Sequence, residues 1–210
     1  FDNSFSKNDG DLRKRFIREA RLLSELQHPS IPYVLTRGDV LSGGESIQYM
    51  VMQYISGDCL DAYLVKNGNL DLNSTLHIAF QLLDALDFVH MKNIVHRDIK
   101  PSNIMMLNSG HCFLIDFSIG FKLSVEFGMT RSTRTGDRLG SANYMSPEQS
   151  SNMKDVDGRS DLFSLTKVLC ELLTGKPDIT QLNRPELKLN TAIKKVIEKG
   201  GAFTREERNK

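Results

Sequence analysis

The stretch 94–105, IVHRDIKPSNIM, limits what this chain can fold into more than any other part of the sequence. It contains His96-Arg97-Asp98, followed by Lys100 and Asn103. At roughly 5% per position, these residue types in so short a window occur by chance in about one such chain in some ten thousand. Chemically, Asp98 can accept a proton from an attacking hydroxyl, Lys100 can neutralise a transferring phosphoryl group, and Asn103 can offer an oxygen to Mg²⁺. The alternative is a polar loop in which Asp98 and Asn103 only cap turns.

A second motif, Asp116-Phe117-Ser118, ends the apolar run 112–115, which predicts a short buried strand. The two motifs together resemble the catalytic loop H-R-D-x-K-x-x-N and the metal-binding tripeptide D-F-G of the protein kinases. The resemblance covers residues 11–208 and implies an α+β, protein kinase-like fold of two lobes. A partial, small, β-rich N-lobe would span residues 1–55, and a mostly helical C-lobe, truncated at its end, would span residues 56–210.

The resemblance implies a role for each polar residue of the two motifs. Asp98 would be the catalytic base, Lys100 would stabilise the transferring phosphate, and Asn103 and Asp116 would hold Mg²⁺ beside ATP. Lys100 is typical of the serine/threonine class, so the implied reaction transfers the γ-phosphoryl group of ATP to Ser or Thr hydroxyls of proteins. Ser118 stands where the family has glycine. Because serine reaches positive φ less freely than glycine, a backbone flip after Asp116 is expected to be harder.

Composition and charge narrow the class of protein. A chain of 210 residues with 40% apolar and 25% charged residues is typical of about one globular domain. The net charge of +1 argues against a nucleic-acid or membrane surface built on bulk charge. Cys59, Cys112 and Cys170 form no C-x-x-C pair, which predicts reduced thiols in a cytoplasmic protein rather than disulfides or a zinc site. No apolar run approaches the roughly 18 residues that cross a bilayer.

The first 54 residues predict one helix and two strands. Apolar spacing predicts an amphipathic helix over 12–27, ended by His28-Pro29. The sequence RFIREARLLSELQHPSI resembles the kinase C-helix, in which Glu19 would orient the ATP-binding lysine. The alternative is that Glu19 is a solvated helix carboxylate among arginines. Strands are predicted over 31–39 and 47–54, around a Gly-Gly turn.

The end of the second strand resembles the kinase hinge. On that resemblance Met52 would be the gatekeeper, and the backbones of Gln53 and Ile55 would meet the edge of the adenine. Met105 would pack beneath the adenine, and the lobe boundary would fall at 56–58. The alternative is that these apolar residues only fill the core.

The predicted C-lobe is mostly helical. Helices are expected over 60–66, 72–91, 161–174 and 191–199. Asp71 or Asn73 would cap the longest of them, and Gly175 would end the third. Between the second and third helices, 104–107 and 112–115 with the turn 108–110 predict a hairpin. That hairpin would place Asn103 and Asp116 on either side of one metal site.

Residues 116–148 resemble the kinase activation segment, because Ser146-Pro147-Glu148 matches the A-P-E motif that ends it. The wording G-S-x-x-Y-M-S-P-E-Q is similar to that of bacterial kinases of the eukaryotic type. Thr133 and Thr135 stand where such kinases commonly phosphorylate themselves, and a phosphate there could pair with Arg97. The alternative is a disordered loop rich in Ser, Thr and Arg.

Two long-range contacts follow from the same resemblance. Asp161 would accept hydrogen bonds from the backbone of the catalytic loop, although a helix N-cap would also explain an aspartate there. Arg208 would pair with Glu148 of the A-P-E match.

The family's glycine-rich loop and strand lysine are not recognisable in the sequence. By family spacing the lysine lies roughly 15–20 residues before Glu19, at or just before residue 1. We therefore expect a piece of a longer kinase. A pseudokinase scaffold that binds partners without phosphotransfer is the main alternative, and it is opposed by the intact catalytic set Asp98, Lys100, Asn103 and Asp116. A small-molecule kinase of the aminoglycoside type is another, but it would lack the segment that Ser146-Pro147-Glu148 ends.

Overall fold

The computed structural model describes residues 17, 20–117, 142–151 and 156–209. Glu19, Ser118, Thr133 and Thr135, which the sequence singles out, lie outside the described residues. In the N-terminal part, residues 20–24 are helical. The helix ends earlier than predicted, because its last turn closes with tighter bonds from each N–H to the carbonyl three residues back, among them Leu26 N to Leu23 O at 3.1 Å.

Two antiparallel strands follow, β1 (Val34–Ser42) and β2 (Glu45–Met52). Gly43 and Gly44 join them in a two-residue turn, with φ of 60° and 84°. Positive φ at both central residues matches the twist of the flanking strands, and glycine adopts it without strain. The predicted hairpin is confirmed, although both strands are displaced by a few residues. The first strand starts later than predicted because Ile31 is held in a local bridge to His28.

A second sheet contains the two strands that connect the motifs: the polar residues of the first motif precede one strand, and Asp116 follows the other. Its order is β3 (Asp58–Cys59), β4 (Ile104–Met106) and β5 (Cys112–Leu114), with both pairs antiparallel. The hairpin predicted for the last two strands is therefore confirmed. Leu114 N donates to Ser30 O at 2.8 Å, so the strand that leads to the second motif is bonded to the N-terminal part of the chain.

Five helices longer than one turn complete the described part of the chain: α1 (Leu60–Asn67), α2 (Leu72–Met91), α3 (Pro147–Ser151), α4 (Gly158–Thr174) and α5 (Thr191–Gly200). Short 3₁₀ turns occur at Pro101–Asn103, Ile179–Asn183, Pro185–Leu187 and Arg205–Asn209. The bounds of α2 agree with the prediction, and of the two proposed caps Asp71 is the one used, its carboxylate accepting from Ser74 N at 3.0 Å.

The start of α4 corrects one prediction. The helix begins at Gly158 rather than Asp161, and its N-cap is Asp157, whose carboxylate accepts from Arg159 N at 3.0 Å. Asp161 therefore lies inside the first turn and is not the cap. Gly175 ends the helix as predicted, with a left-handed φ of 75° that a residue with a Cβ adopts at a cost.

The main core lies between α2, α4 and the β4–β5 hairpin. Its fully buried side chains include Leu82, Leu86, Ile104, Leu114, Leu165 and Leu172. Burying one such side chain stabilises the fold by about 1.5–3 kcal/mol. Ile99, in the loop that follows α2, belongs to the same core. The loop that carries the first motif is therefore anchored by apolar packing. None of the helices in the described ranges combines the length and apolar character needed to span a bilayer.

Candidate active site

His96 joins the two sequence motifs. It is fully buried, its ring packs against Phe117 at a centroid distance of 4.6 Å, and Nε2 lies 3.0 Å from Ile115 O. Burial lowers the pKa of His96, so the ring is neutral near pH 7. A carbonyl can only accept, so Nε2 carries the proton and Nδ1 accepts from Asp98 N at 3.3 Å. The histidine thus ties the catalytic-loop backbone to the residue before Asp116.

Asp161, in the first turn of α4, holds the backbone of the loop that contains His96 and Arg97. Its carboxylate is completely buried and accepts hydrogen bonds from His96 N at 2.9 Å, from Arg97 N at 2.7 Å and from His90 Nε2 at 2.8 Å. The predicted contact between Asp161 and the catalytic-loop backbone is therefore present. Arg97 has φ of 69°, a left-handed conformation that a non-glycine residue keeps only when its surroundings impose it.

Two of the predicted catalytic residues, Lys100 and Asn103, converge on the carboxylate of the third, Asp98. Lys100 Nζ lies 3.0 Å from Asp98 Oδ2, and Asn103 Nδ2 donates to Asp98 Oδ2 at 3.1 Å and to Asp98 O at 2.7 Å. Asp98 and Asn103 are 9% and 5% exposed. Because the amide nitrogen of Asn103 faces Asp98, its oxygen Oδ1 lies on the other side of the amide, where it can ligate a cation.

Asp116 follows β5 and is exposed, with φ of 59°. Its neighbour Ile115 donates from N to Asn103 O at 2.9 Å. The β4–β5 register pairs Ile104 with Leu114, so Asn103 and Asp116 flank the same end of the hairpin. Within the described ranges, no group of three or more His, Cys, Asp or Glu could hold a metal. One carboxylate with one amide oxygen instead fits Mg²⁺, which takes few protein ligands and completes its shell with phosphate oxygens and water.

The predicted hinge lies at the end of β2. Gln53 donates its N–H to Tyr33 O at 2.9 Å, so only its carbonyl is available to accept from an adenine amine. Ile55 is buried, and Met105 is half-buried in β4. A Cβ added at Gly57 would lie only 2.4 Å from Met106 O. The chain therefore needs glycine at this close approach between the hinge and the hairpin.

The predicted pair of Arg208 and Glu148 is also present. Arg208 Nη1 and Nη2 donate to Glu148 Oε1 and Oε2 at 2.6 and 3.0 Å, and the Ser160 hydroxyl donates to the same carboxylate. Arg208 is buried over the ring of Phe163. Partial burial by itself would raise the pKa of Glu148, but the hydrogen bonds from Arg208 and Ser160 outweigh it and hold the pKa at about 2.

Two polar contacts of this region were not predicted. Gln149 is buried and donates from Nε2 to Arg97 O at 2.9 Å. The Tyr144 hydroxyl donates to Glu171 on α4, and burial raises the pKa of both groups. A glutamine directly after Ser146-Pro147-Glu148 is visible in the sequence, but no spacing rule connects it with a residue 52 positions earlier.

Comparison with known proteins agrees with this geometry. The family model described as "Protein kinase domain" matches residues 3–209, nearly the whole chain. The chain therefore belongs to the protein kinase family, as its motifs predicted.

Individual relatives point to a bacterial branch. The chain is 40% identical over 169 residues to a probable serine/threonine-protein kinase of Streptomyces coelicolor, and 39% identical over 169 residues to the serine/threonine-protein kinase PrkC of Bacillus subtilis. Each alignment covers 80% of this chain and 25% of the relative. The chain thus spans about a quarter of the length of these curated relatives.

Solved structures show the same fold. The kinase domain of Mycobacterium tuberculosis PknI superposes with a TM-score of 0.67 at 26% identity, covering 95% of this chain and 74% of that one. A Cys-to-Ala mutant of the same domain gives a TM-score of 0.65 and covers 99% of this chain. The two-lobe protein kinase fold expected from the sequence is therefore confirmed.

Proposed function

We infer that this chain is the catalytic part of a serine/threonine protein kinase, which transfers the γ-phosphoryl group of ATP to Ser or Thr hydroxyls of proteins. One observation carries the proposal: Lys100 Nζ and Asn103 Nδ2 both lie within 3.1 Å of Asp98 Oδ2. A fold kept only for binding has no need of a lysine and an amide converging on one buried carboxylate. The names of the relatives support the same activity.

In the proposed mechanism Asp98 receives the proton of the substrate hydroxyl. Lys100 and Asn103 orient its carboxylate through Oδ2, so that a hydroxyl approaching the carboxylate meets a fixed acceptor. Lys100 also places a positive charge within reach of the transferring group, whose negative charge it stabilises.

The nucleotide side of the site uses residues at the hairpin end. When bound, ATP supplies the phosphoryl group, and Mg²⁺ neutralises the charge of its phosphates. Asn103 through Oδ1 and Asp116 through its exposed carboxylate would hold the cation. With Asn103 and Asp116 binding the cation, the carboxylate of Asp98 would remain available to accept the proton of the substrate hydroxyl.

The adenine would bind between the lobes, which we divide at 1–55 and 56–210. The carbonyl of Gln53 and the N–H of Ile55 would bond its edge, and Met105 would pack beneath it. Glu19 would orient the ATP-binding lysine. The free thiols of the described cysteines fit a reducing compartment such as the cytoplasm.

Asp98→Asn tests the proposal in the protein as its gene encodes it. Transfer of labelled phosphate from ATP to casein should fall at least about 100-fold, because asparagine cannot accept the proton. Asp116→Ala should abolish transfer as well. Asp87→Asn, the same chemical change on the exposed side of α2, is the matched control and should keep the wild-type rate.

Two outcomes would contradict the proposal. Wild-type turnover in Asp98→Asn would remove the catalytic base from the mechanism. A wild-type protein that gives no transfer, while Mg²⁺ and ATP still raise its melting temperature, would favour a scaffold that binds nucleotide without phosphotransfer.

A further inference from the structure

The peptide that joins Arg97 to Asp98 is held on both sides. On one side Asp98 N donates to His96 Nδ1 at 3.3 Å, and on the other Arg97 O accepts from Gln149 Nε2 at 2.9 Å. The preceding peptide is held by Asp161, which accepts from Arg97 N at 2.7 Å. The backbone that presents Asp98 is thus fixed by side chains from α3 and α4 as well as from its own loop.

Gln149 has one orientation that satisfies its surroundings. Its Oε1 lies 3.1 Å from Ser146 N and 3.0 Å from Ser146 Oγ, while Nε2 faces Arg97 O. An N–H must meet the amide oxygen and a carbonyl must meet the amide nitrogen, so the network itself assigns the two ends of the amide. Gln149 and Ser146 are 7% and 0% exposed, so a lost bond here would not be replaced readily by water.

The left-handed φ of Arg97 indicates what the hydrogen bond from Gln149 to Arg97 O does for the backbone. At 69° the residue is in a left-handed conformation that an L-amino acid with a Cβ adopts only at an energetic cost. Relaxation would rotate the Arg97–Asp98 peptide and move the Asp98 carboxylate with it. The bond from Gln149 to the carbonyl oxygen of this peptide opposes that rotation.

We propose that Gln149 is a positioning residue for phosphotransfer, which couples the end of the Ser146-Pro147-Glu148 segment to the orientation of Asp98. The inference rests on the proposed kinase function. It also connects catalysis to α3, which the bonds from Arg208 and Ser160 to Glu148 anchor to the rest of the C-lobe. Departure of α3 would release Arg97 O and so disorient Asp98.

Gln149→Met removes the bonds and keeps the side-chain length. In the protein as its gene encodes it, we expect kcat to fall at least about tenfold, since a misplacement of the order of 1 Å can cost about 100-fold. The KM for ATP should stay within about twofold, because Gln149 lies outside the proposed nucleotide site. Hydrogen exchange should show faster exchange at the amides of Arg97 and Asp98.

The pH dependence of kcat in Gln149→Glu separates a positioning role from a purely structural one, because loss of a structural contact alone would not make the kcat ratio depend on pH. When the introduced glutamic acid is protonated, its hydroxyl can still donate to Arg97 O. When it is ionised, its carboxylate repels that carbonyl oxygen. Burial raises the pKa of a carboxyl, so kcat divided by the wild-type kcat should rise by at least about fivefold from pH 8 to pH 6. Division by the wild-type kcat removes the effects of pH on groups that both proteins share, among them Arg97, His90 and Asp161. If Gln149→Met does not fold, this profile decides.

Gln81→Glu is the matched control. Gln81 on α2 bridges Cys112 N at 2.9 Å and Gly110 O at 3.1 Å in the same manner, away from Arg97. Its kcat ratio to wild type should stay flat with pH. A flat ratio in Gln149→Glu, or a kcat within twofold of wild type in folded Gln149→Met, would overturn the inference. If Asp98→Asn itself retained transfer, the proposed function would fail instead, so the two failures are distinguishable.

Discussion

At the scale of single residues, the site depends on which end of each polar side chain faces its neighbour. His96 presents Nε2–H to Ile115 O and Nδ1 to Asp98 N, while Asn103 presents Nδ2 to Asp98. Each assignment follows from a partner that can only donate or only accept. The same bonds leave Asn103 Oδ1 directed away from the carboxylate. At the residue scale, these bonds fit the proposed division between a base at Asp98 and cation ligands at Asn103 and Asp116.

Asn103→Ala tests that division. Loss of the amide oxygen removes one proposed ligand of Mg²⁺, so the Mg²⁺ concentration that half-saturates the thermal shift with ATP should rise about tenfold or more. Asn67→Ala, at an exposed residue that donates to Tyr63 O on its own helix, should leave the titration unchanged. An unchanged titration in Asn103→Ala would assign the cation to other ligands.

At the scale of elements, short segments far apart in sequence are held by single polar contacts. α3 is only Pro147–Ser151, yet Glu148 on it pairs with Arg208, whose side chain is completely buried. Removing one partner of a buried ion pair leaves the other charge without compensation and destabilises by about 3–5 kcal/mol. An exposed pair contributes about 0–1 kcal/mol. The pair therefore stabilises α3 more than the length of that helix suggests.

Glu148→Gln should lower the free energy of unfolding by about 3 kcal/mol at pH 7, measured by urea denaturation. Glu25→Gln removes an exposed pair with Arg21 and should change it by less than about 1 kcal/mol. A loss no greater than that of the Glu25 control would show that the buried pair contributes little.

The same contact predicts a pH dependence. The pKa of Glu148 is lowered from an ordinary 4.5 to about 2, so its contribution is fully present above pH 4.5 and is lost as the pH falls toward 2. The stability difference between wild type and Glu148→Gln should therefore shrink from pH 4.5 downward. A difference that stays constant down to pH 3 would contradict this linkage.

At the scale of the whole molecule, two helices and a hairpin support the catalytic loop together. α2 delivers the chain to the loop, α4 holds it through Asp161, and the β4–β5 hairpin bonds Asn103 to the residue before Asp116. The predicted regulatory threonines, Thr133 and Thr135, belong to the segment between this hairpin and α3. We propose that their phosphorylation acts on the loop through Arg97, whose half-buried side chain adjoins Asp98.

Autophosphorylation is therefore expected at Thr133 or Thr135. Incubation of the protein, as its gene encodes it, with ATP and Mg²⁺ should add the mass of at least one phosphate, measured on the intact protein and located by peptide mapping. Asp98→Asn should remain unmodified. Added phosphate confined to other residues, or none in an active wild type, would contradict the assignment.

The sequence by itself determined much of the site, because phosphotransfer needs particular residue types at fixed spacing. Asp98, Lys100, Asn103 and Asp116 follow from local motifs, and the bounds of α2 follow from apolar periodicity. The start of α4 was placed too late, since a propensity argument cannot tell a capping aspartate such as Asp157 from one that points into the core.

Only the tertiary structure decided how the backbone before Asp98 is held. Asp161 and Gln149 lie 64 and 52 residues from Arg97 in sequence, yet both bond its backbone. The resemblance to known kinases suggested the first contact, whereas no pattern suggested the second. The physical reason is that a hydrogen bond between distant segments depends on how α3 and α4 pack around the core, and the packing is a property of the whole chain rather than of any stretch within it.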